Sequence, residues 1–404
     1  MSVWANRDFR LLWTSNAVSG AGSWLLVVAV PVHVFQLTGS AAATGLTLAL
    51  EALPALLLGP WAGVLLDRWD LSRAMWIADL VSAAAVGLIL FADRPERLWL
   101  IYLAVLVENV ASTVFRPAAR ALLPAVVGTG RELAAANALT AFTGSVNRLA
   151  APPLGALLLA GPGITFVLTV DIVSYLLSAA TIAAIRRRPD RALRQALHPL
   201  EGLRYAVRSR PLRGLLTGNG IFLTANAGLT ALLVPLTVER LDAPGHTVGY
   251  LISGLGVGYL VGAAVSVKAL SWLGIRELIA ATQLATAAAF FALANAPNVP
   301  WAIGAAVLIG LPGSVLLITT ETTVQRVTRP TMLAQVGALF FAVDALATVI
   351  GAVVAPAAVL VAGLPLTLNL LAAVAVLAAP VTLLVLPGHP AELTRKPAPE
   401  RFSR

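Results

Sequence analysis

Residues 186–213 read RRRPDRALRQALHPLEGLRYAVRSRPLR, the longest polar run in an otherwise apolar chain. It holds nine arginines, opposed only by Asp190 and Glu201. Apolar segments of membrane-spanning length flank it at 164–185 and 215–238. A block of like charge on its own describes a solvated tail. Between two such flanks it describes a cytoplasmic loop joining the halves of a polytopic membrane protein.

The whole composition agrees with that reading. Of 404 residues, 58% are hydrophobic and 12% charged, with a mean hydropathy of +0.86. Soluble domains carry about 25% charged residues, so an ordinary globular protein is excluded. The apolar runs are long, continuous and rich in Ala and Leu, which suits helices that satisfy their own peptide groups in lipid. The short alternating strands of a membrane barrel are not seen. A net charge of +9 is explained by basic residues retained on the inner side of a membrane, without nucleic acid as a partner. The chain has no cysteine, hence no disulfide or thiol chemistry. The first apolar run, 11–37, is too long for the core of a cleaved signal peptide.

Twelve spans are predicted: 11–37, 43–66, 74–92, 98–115, 133–160 and 164–185, then 215–238, 247–267, 277–295, 301–323, 332–361 and 365–386. The stretch 117–136 is left as a cytoplasmic connection. With the N-terminus inside, every Lys and Arg except Arg94, Arg97, Arg240 and the intramembrane Arg148 falls on the cytoplasmic side. Both termini are then cytoplasmic. The expected organisation is an all-α integral membrane protein. It has a six-helix bundle over 1–185, a central loop over 186–213, a second bundle over 214–386 and a disordered tail over 387–404. Within the loop, 199–212 mixes arginines with Leu and Tyr as a surface helix or a solvated linker would.

The connection after the second span reads GPWAGVLLDRWDLSR. Gly63, Asp67, Arg68 and Arg73 match the G-x-x-x-D-R-x-x-x-x-R pattern that major facilitator transporters carry between helices two and three. A glycine allows close helix approach, an acid pairs with a cation or a helix N-terminus, and the arginines hold carboxylates or phosphates. The segment FRPAARALLPAVVGTGRELAAANALTAFTGSVNRLAAPPLGALL, from Phe115, is similar to the region after helix four in the multidrug, macrolide and siderophore efflux branch of that superfamily. Gly144, Asn147, Pro152 and Gly155 resemble the exporters' helix-five motif, with Ala151 and Ala156 in place of two of its glycines. The resemblance covers nearly the full chain. It implies two pseudo-symmetric six-helix bundles that rock about a midplane site, with the Gly63–Arg73 connection as a cytoplasmic latch.

Ionisable residues at membrane depth cost several kcal/mol unless paired or hydrated, so each marks a candidate site. Glu108 and Arg148 fall near the midplane, Asp344 is also deep, and Glu51 and Asp171 lie somewhat nearer the outside. Asp79 and Glu321 lie closer to the cytoplasmic ends. A carboxylate in a low-dielectric setting favours its protonated form, and a cationic cargo competing for it would expel that proton. Glu108 and Asp344 are the preferred sites of such exchange, with Arg148 adjusting Glu108. The alternative makes Glu108 and Arg148 a static bridge between helices. Asp171 and Glu51 belong to the same set of candidate proton or substrate residues, with a structural hydrogen-bonding role favoured over transport for these two, and Tyr175 is read as one of many anchoring or packing aromatics.

The resemblance implies a secondary transporter that exports an amphipathic small molecule against inward proton flow through the cell membrane, acting as a monomer. The alternative is a facilitator or importer without proton exchange. No G-x-x-x-x-G-K-[ST] loop occurs, His33, His198, His246 and His389 are scattered, and no nucleophile–base pairing is visible. An enzyme, a resident metal and a cofactor are therefore not expected.

Overall fold

The computed structural model describes residues 3–66, 69–128, 131–186, 199–329 and 332–387, and all regular structure among them is helical. The helices are α1 (Arg7–Thr38), α2 (Ala41–Leu66), α3 (Leu71–Ile89), α4 (Leu98–Val127), α5 (Arg131–Ala160) and α6 (Ile164–Ala183) in the first half. The second half has α7 (Pro199–Arg208), α8 (Arg210–Ala231), α9 (Leu233–Pro235), α10 (Val248–Trp272), α11 (Ile275–Ala294), α12 (Val299–Val327), α13 (Leu333–Ala362) and α14 (Leu364–Val385). A π-helical turn, Leu236–Arg240, extends α9.

Among the described residues, ten helices are long and apolar enough to cross a membrane, and α8 with the α9 segment, bent by 47°, makes an eleventh span. Helix α5 has the length but carries Arg131, Glu132 and Arg148. Many large apolar side chains face outward, such as Leu57, Trp99, Leu177, Leu308 and Leu384. Lipid is the solvent that such a surface suits.

Two sequence expectations change. Residues 117–136 are not a long connection. Helix α4 continues through Pro117 and Pro124 to Val127, and α5 begins at Arg131. Proline is tolerated inside such helices when neighbouring groups satisfy the freed carbonyl. The part of the central loop that is described is helix α7, which packs on α13 and α8. Ala206 is fully buried there, and the Tyr205 hydroxyl accepts a hydrogen bond from the Arg329 amide at 3.3 Å. The loop expectation for 187–198 and the tail expectation for 388–404 lie outside the described residues.

The chain divides into two compact units, residues 1–196 with 233–253, and residues 197–232 with 254–404. In the first, α1 packs on α5 and α6, α3 on α4 and α6, and α2 on α4. Asn6 caps α1, accepting from the amides of Asp8 and Phe9, and its Nδ2 donates to the Val126 carbonyl at 2.8 Å. This ties the start of α1 to the end of α4. Asp70 caps α3 by accepting from the Arg73 amide at 3.0 Å. One apolar cluster of this unit joins Val28, Val32 and Phe35 to Ala156, Val234 and Val248. In the second unit α8 packs on α13 and α14, and α11 on α12 and α14, the same plan as α1 with α5 and α6, and α3 with α4 and α6. Glycines 254, 258 and 262 of α10 bring its backbone against α12 at Ile303, Val307 and Leu311, the close approach that small residues permit between membrane helices.

Candidate functional site

Helix α6 presents Asp171, Ser174, Tyr175 and Ser178 at i, i+3, i+4 and i+7, which is one face of a helix. That face turns into the first unit. Asp171 and Ser178 are fully buried, and Ser174 and Tyr175 nearly so. The Tyr175 hydroxyl donates to Glu108 Oε1 of α4 at 2.7 Å and lies 3.0 Å from the Ser23 hydroxyl of α1. Ser178 donates to Asp79 Oδ2 of α3 at 2.5 Å and lies 2.7 Å from Ser15 Oγ of α1. Ser174 donates to Asp171 Oδ1 at 3.2 Å, whereas the buried Asp171 Oδ2 has no hydrogen-bond partner. A buried carboxylate oxygen left in that state is costly when ionised.

Glu51 of α2 and Asp171 both lie within electrostatic reach of Glu108, and Asp171 within reach of Asp79. The structure therefore brings three of the sequence candidates together, Glu51, Glu108 and Asp171, and adds Asp79. Arg148 is exposed, with its guanidinium 5.3 Å from the centre of the Trp24 ring, a cation–π distance. The hydroxyl of Tyr175 occupies the place by Glu108 that the sequence reading offered to Arg148. Asp344 is exposed on α13 in the second unit, and its carbonyl accepts from Thr348 at 2.9 Å.

The helix-five residues pack against α1. Asn147 Nδ2 donates to the Ala17 carbonyl at 3.0 Å, and a β-carbon at Gly155 would stand 2.6 Å from the Leu25 carbonyl oxygen. Pro152 is buried, while Gly144 faces open space. Of the connection after α2, Asp67 and Arg68 lie outside the described residues. Gly63 is within α2, and Arg73 stands in the first turn of α3, where with Asp70, Trp76 and Ile182 it borders a narrow cleft.

Sequence reasoning missed Tyr175 and the paired serines. The signal available was the 171/174/175/178 spacing on α6, matched on α1 by Ser15, Ser19 and Ser23.

The second unit repeats one of these contacts. Thr382 of α14 donates to Gln283 Oε1 of α11 at 2.9 Å. Asp79 and Ser178 are 99 residues apart, as are Gln283 and Thr382. Two six-helix halves related in this way are the plan of the major facilitator fold.

The family described as transmembrane secretion effector, a branch of the major facilitator superfamily, matches residues 1–399. The chain belongs to it. It is 25% identical over 271 residues to macrolide efflux protein A of Streptococcus pyogenes, covering 62% of this chain and 66% of that protein. It is 26% identical over 300 residues to the multi-drug resistance efflux pump PmrA of Streptococcus pneumoniae serotype 4, covering 72% of this chain and 74% of that protein. The chain thus matches slightly under two thirds of the length of macrolide efflux protein A. Among solved structures, the nucleoside transporter NupG superposes with a TM-score of 0.79 at 12% identity, over 94% of this chain and 99% of that one. A likeness at that identity concerns the fold. This member of the major facilitator superfamily is a multi-pass membrane protein of a transporter family, with no enzyme among the relatives named here.

Proposed function

We propose that the chain is a proton-coupled exporter of an amphipathic small molecule, working by alternating access in the cell membrane. The observation that carries this reading is the meeting of Glu51, Glu108 and Asp171 inside the first unit, with Tyr175 donating to Glu108. Carboxylates drawn into a helical membrane bundle are expensive and mark ion or proton sites. The names of the relatives, macrolide and multi-drug efflux proteins, favour outward transport and a bulky, partly apolar cargo.

In this mechanism an amphipathic cation approaches from the cytoplasm and competes with the bound proton for the carboxylate of Glu108. Its arrival expels the proton from that carboxyl. Release of cargo on the other side lets the carboxyl take a proton again, which is carried inward on return. The exposed Arg148, stacked on Trp24, is placed to contact an anionic or aromatic part of the cargo. Arg73 with Asp67, Arg68 and Gly63 would latch the cytoplasmic side, and the packing of Asn147 and Gly155 on α1 would set the tilt of α5. The basic residues favour both termini in the cytoplasm, and one chain supplies both halves, so a monomer suffices.

The test is proton release from the purified, weakly buffered protein on addition of erythromycin, an amphipathic amine. Release in the wild type that is lost in Glu108→Gln supports the exchange. Binding of erythromycin without release would sink proton coupling for that cargo.

A further inference from the structure

The contact between Asp79 and Ser178 has a counterpart in which the carboxylate is replaced by an uncharged amide. Gln283 lies 204 residues after Asp79, and Thr382 lies 204 after Ser178. The helix starts of the two halves are offset by 200 to 207 residues, and by 204 for Leu71 of α3 against Ile275 of α11. Gln283 and Thr382 are both buried, so the amide holds the α11–α14 junction as the acid holds the α3–α6 junction. The charge of Asp79 is thus not what the junction needs.

The same offset carries the other acids of the first unit onto apolar residues. Glu51 maps to Leu255, Glu108 to Pro312 and Asp171 to Ala375. Ser174 and Tyr175 map to Ala378 and Ala379, and all three of these alanines are buried. One half of the repeat keeps four carboxylates at positions that fold without them in the other half. Burying such groups is costly unless they are paired, hydrated or neutral, which makes each a candidate functional group.

We infer that Glu51, Asp79, Glu108 and Asp171 form one coupled proton-holding site of the first unit, centred on the unpartnered oxygen of Asp171, with no counterpart in the second unit. The inference rests on the proton-exchange reading and extends it from one carboxyl to four. Residues Asp171, Ser174, Tyr175 and Ser178 of one α6 face hold or bond to three of the acids, Asp171, Glu108 and Asp79, and Glu51 lies within electrostatic reach of Glu108, so the titrations belong to the set. Asp171 is within electrostatic reach of both Glu108 and Asp79. The other groups around the set are Tyr175 on α6 and Arg116 on α4, while α1 contributes Ser15 and Ser23. His33 of α1 is engaged at the Ala92 carbonyl, and Arg148 of α5 at Trp24.

The experiment is an infrared pH titration of the full chain in lipid vesicles, without cargo. The carboxyl band of Glu108 is assigned as the one lost in Glu108→Gln. The coupled site predicts that Asp79→Asn and Asp171→Asn each move the midpoint of that band by about one pH unit, while Gln283→Leu leaves it in place. A Glu108 midpoint unchanged in both acid variants would overturn the inference. Failure of Asp79→Asn to fold would overturn it too, since the neutral amide at Gln283 is the ground for calling that charge dispensable. Loss of erythromycin-linked release in the wild type, with the midpoint shifts intact, would count against exchange and leave the coupled site standing.

Discussion

Gly22 on α1 faces Asp171 on α6 so closely that a β-carbon at position 22 would overlap the Asp171 carboxyl and the Ser174 hydroxyl. The absence of a side chain on α1 is what makes room for the acid on α6. Gly22→Ala is expected to destabilise the protein by about 1–3 kcal/mol through overpacking. It should also disturb the infrared carboxyl band that is lost in Asp171→Asn. Denaturation in mixed detergent micelles gives the first quantity and infrared spectra the second.

At Asp79 the size of the replacement decides the outcome. Asp79→Asn keeps an acceptor for Ser178 and is expected to change stability by less than about 1 kcal/mol. Asp79→Ala leaves the buried Ser178 and Ser15 hydroxyls short of a partner and is expected to cost about 1–3 kcal/mol. Equal losses in the two variants would show that the charge itself supports the fold.

Tyr175→Phe removes the 2.7 Å bond to Glu108 together with the 3.0 Å contact to the Ser23 hydroxyl. A hydrogen bond to a charged group contributes about 1.5–3 kcal/mol, so the variant should shift the Glu108 titration measurably. Its erythromycin-linked proton release should move to a different pH. A titration curve identical to the wild type would mean that the hydroxyl does not govern the acid.

Gly155 allows α5 to touch the backbone of α1 at Leu25. Gly155→Val is expected to cost about 1–3 kcal/mol by forcing the helices apart, and to lower efflux of erythromycin from loaded vesicles more than Gly144→Val, which enters open space. Equal effects of the two substitutions would remove the α1–α5 approach as the explanation.

The helix order was legible because lipid demands runs of apolar residues about twenty long, and the central arginines divide them into two sets. What hydropathy could not supply was helix continuation past the apolar zone, hence α4 reaching Val127 through two prolines. Depth of the acids could be read from position in each span, and Glu51, Glu108 and Asp171 indeed gather in one unit. Their partners could not, because the direction a side chain takes depends on which helix lies opposite. Tyr175 shows the difficulty. An aromatic in an apolar segment looks like packing until Glu108 is found beside its hydroxyl. Asp344, equally deep by counting, stands exposed in the other unit.

The pair of hydrogen bonds spaced 99 residues apart, and set 204 residues from each other, is the mark of an internal repeat, two halves built on one plan. The first half holds acids where the second holds leucine, glutamine, proline and alanine. A hybrid built from two first halves would therefore carry twice the complement of buried acids.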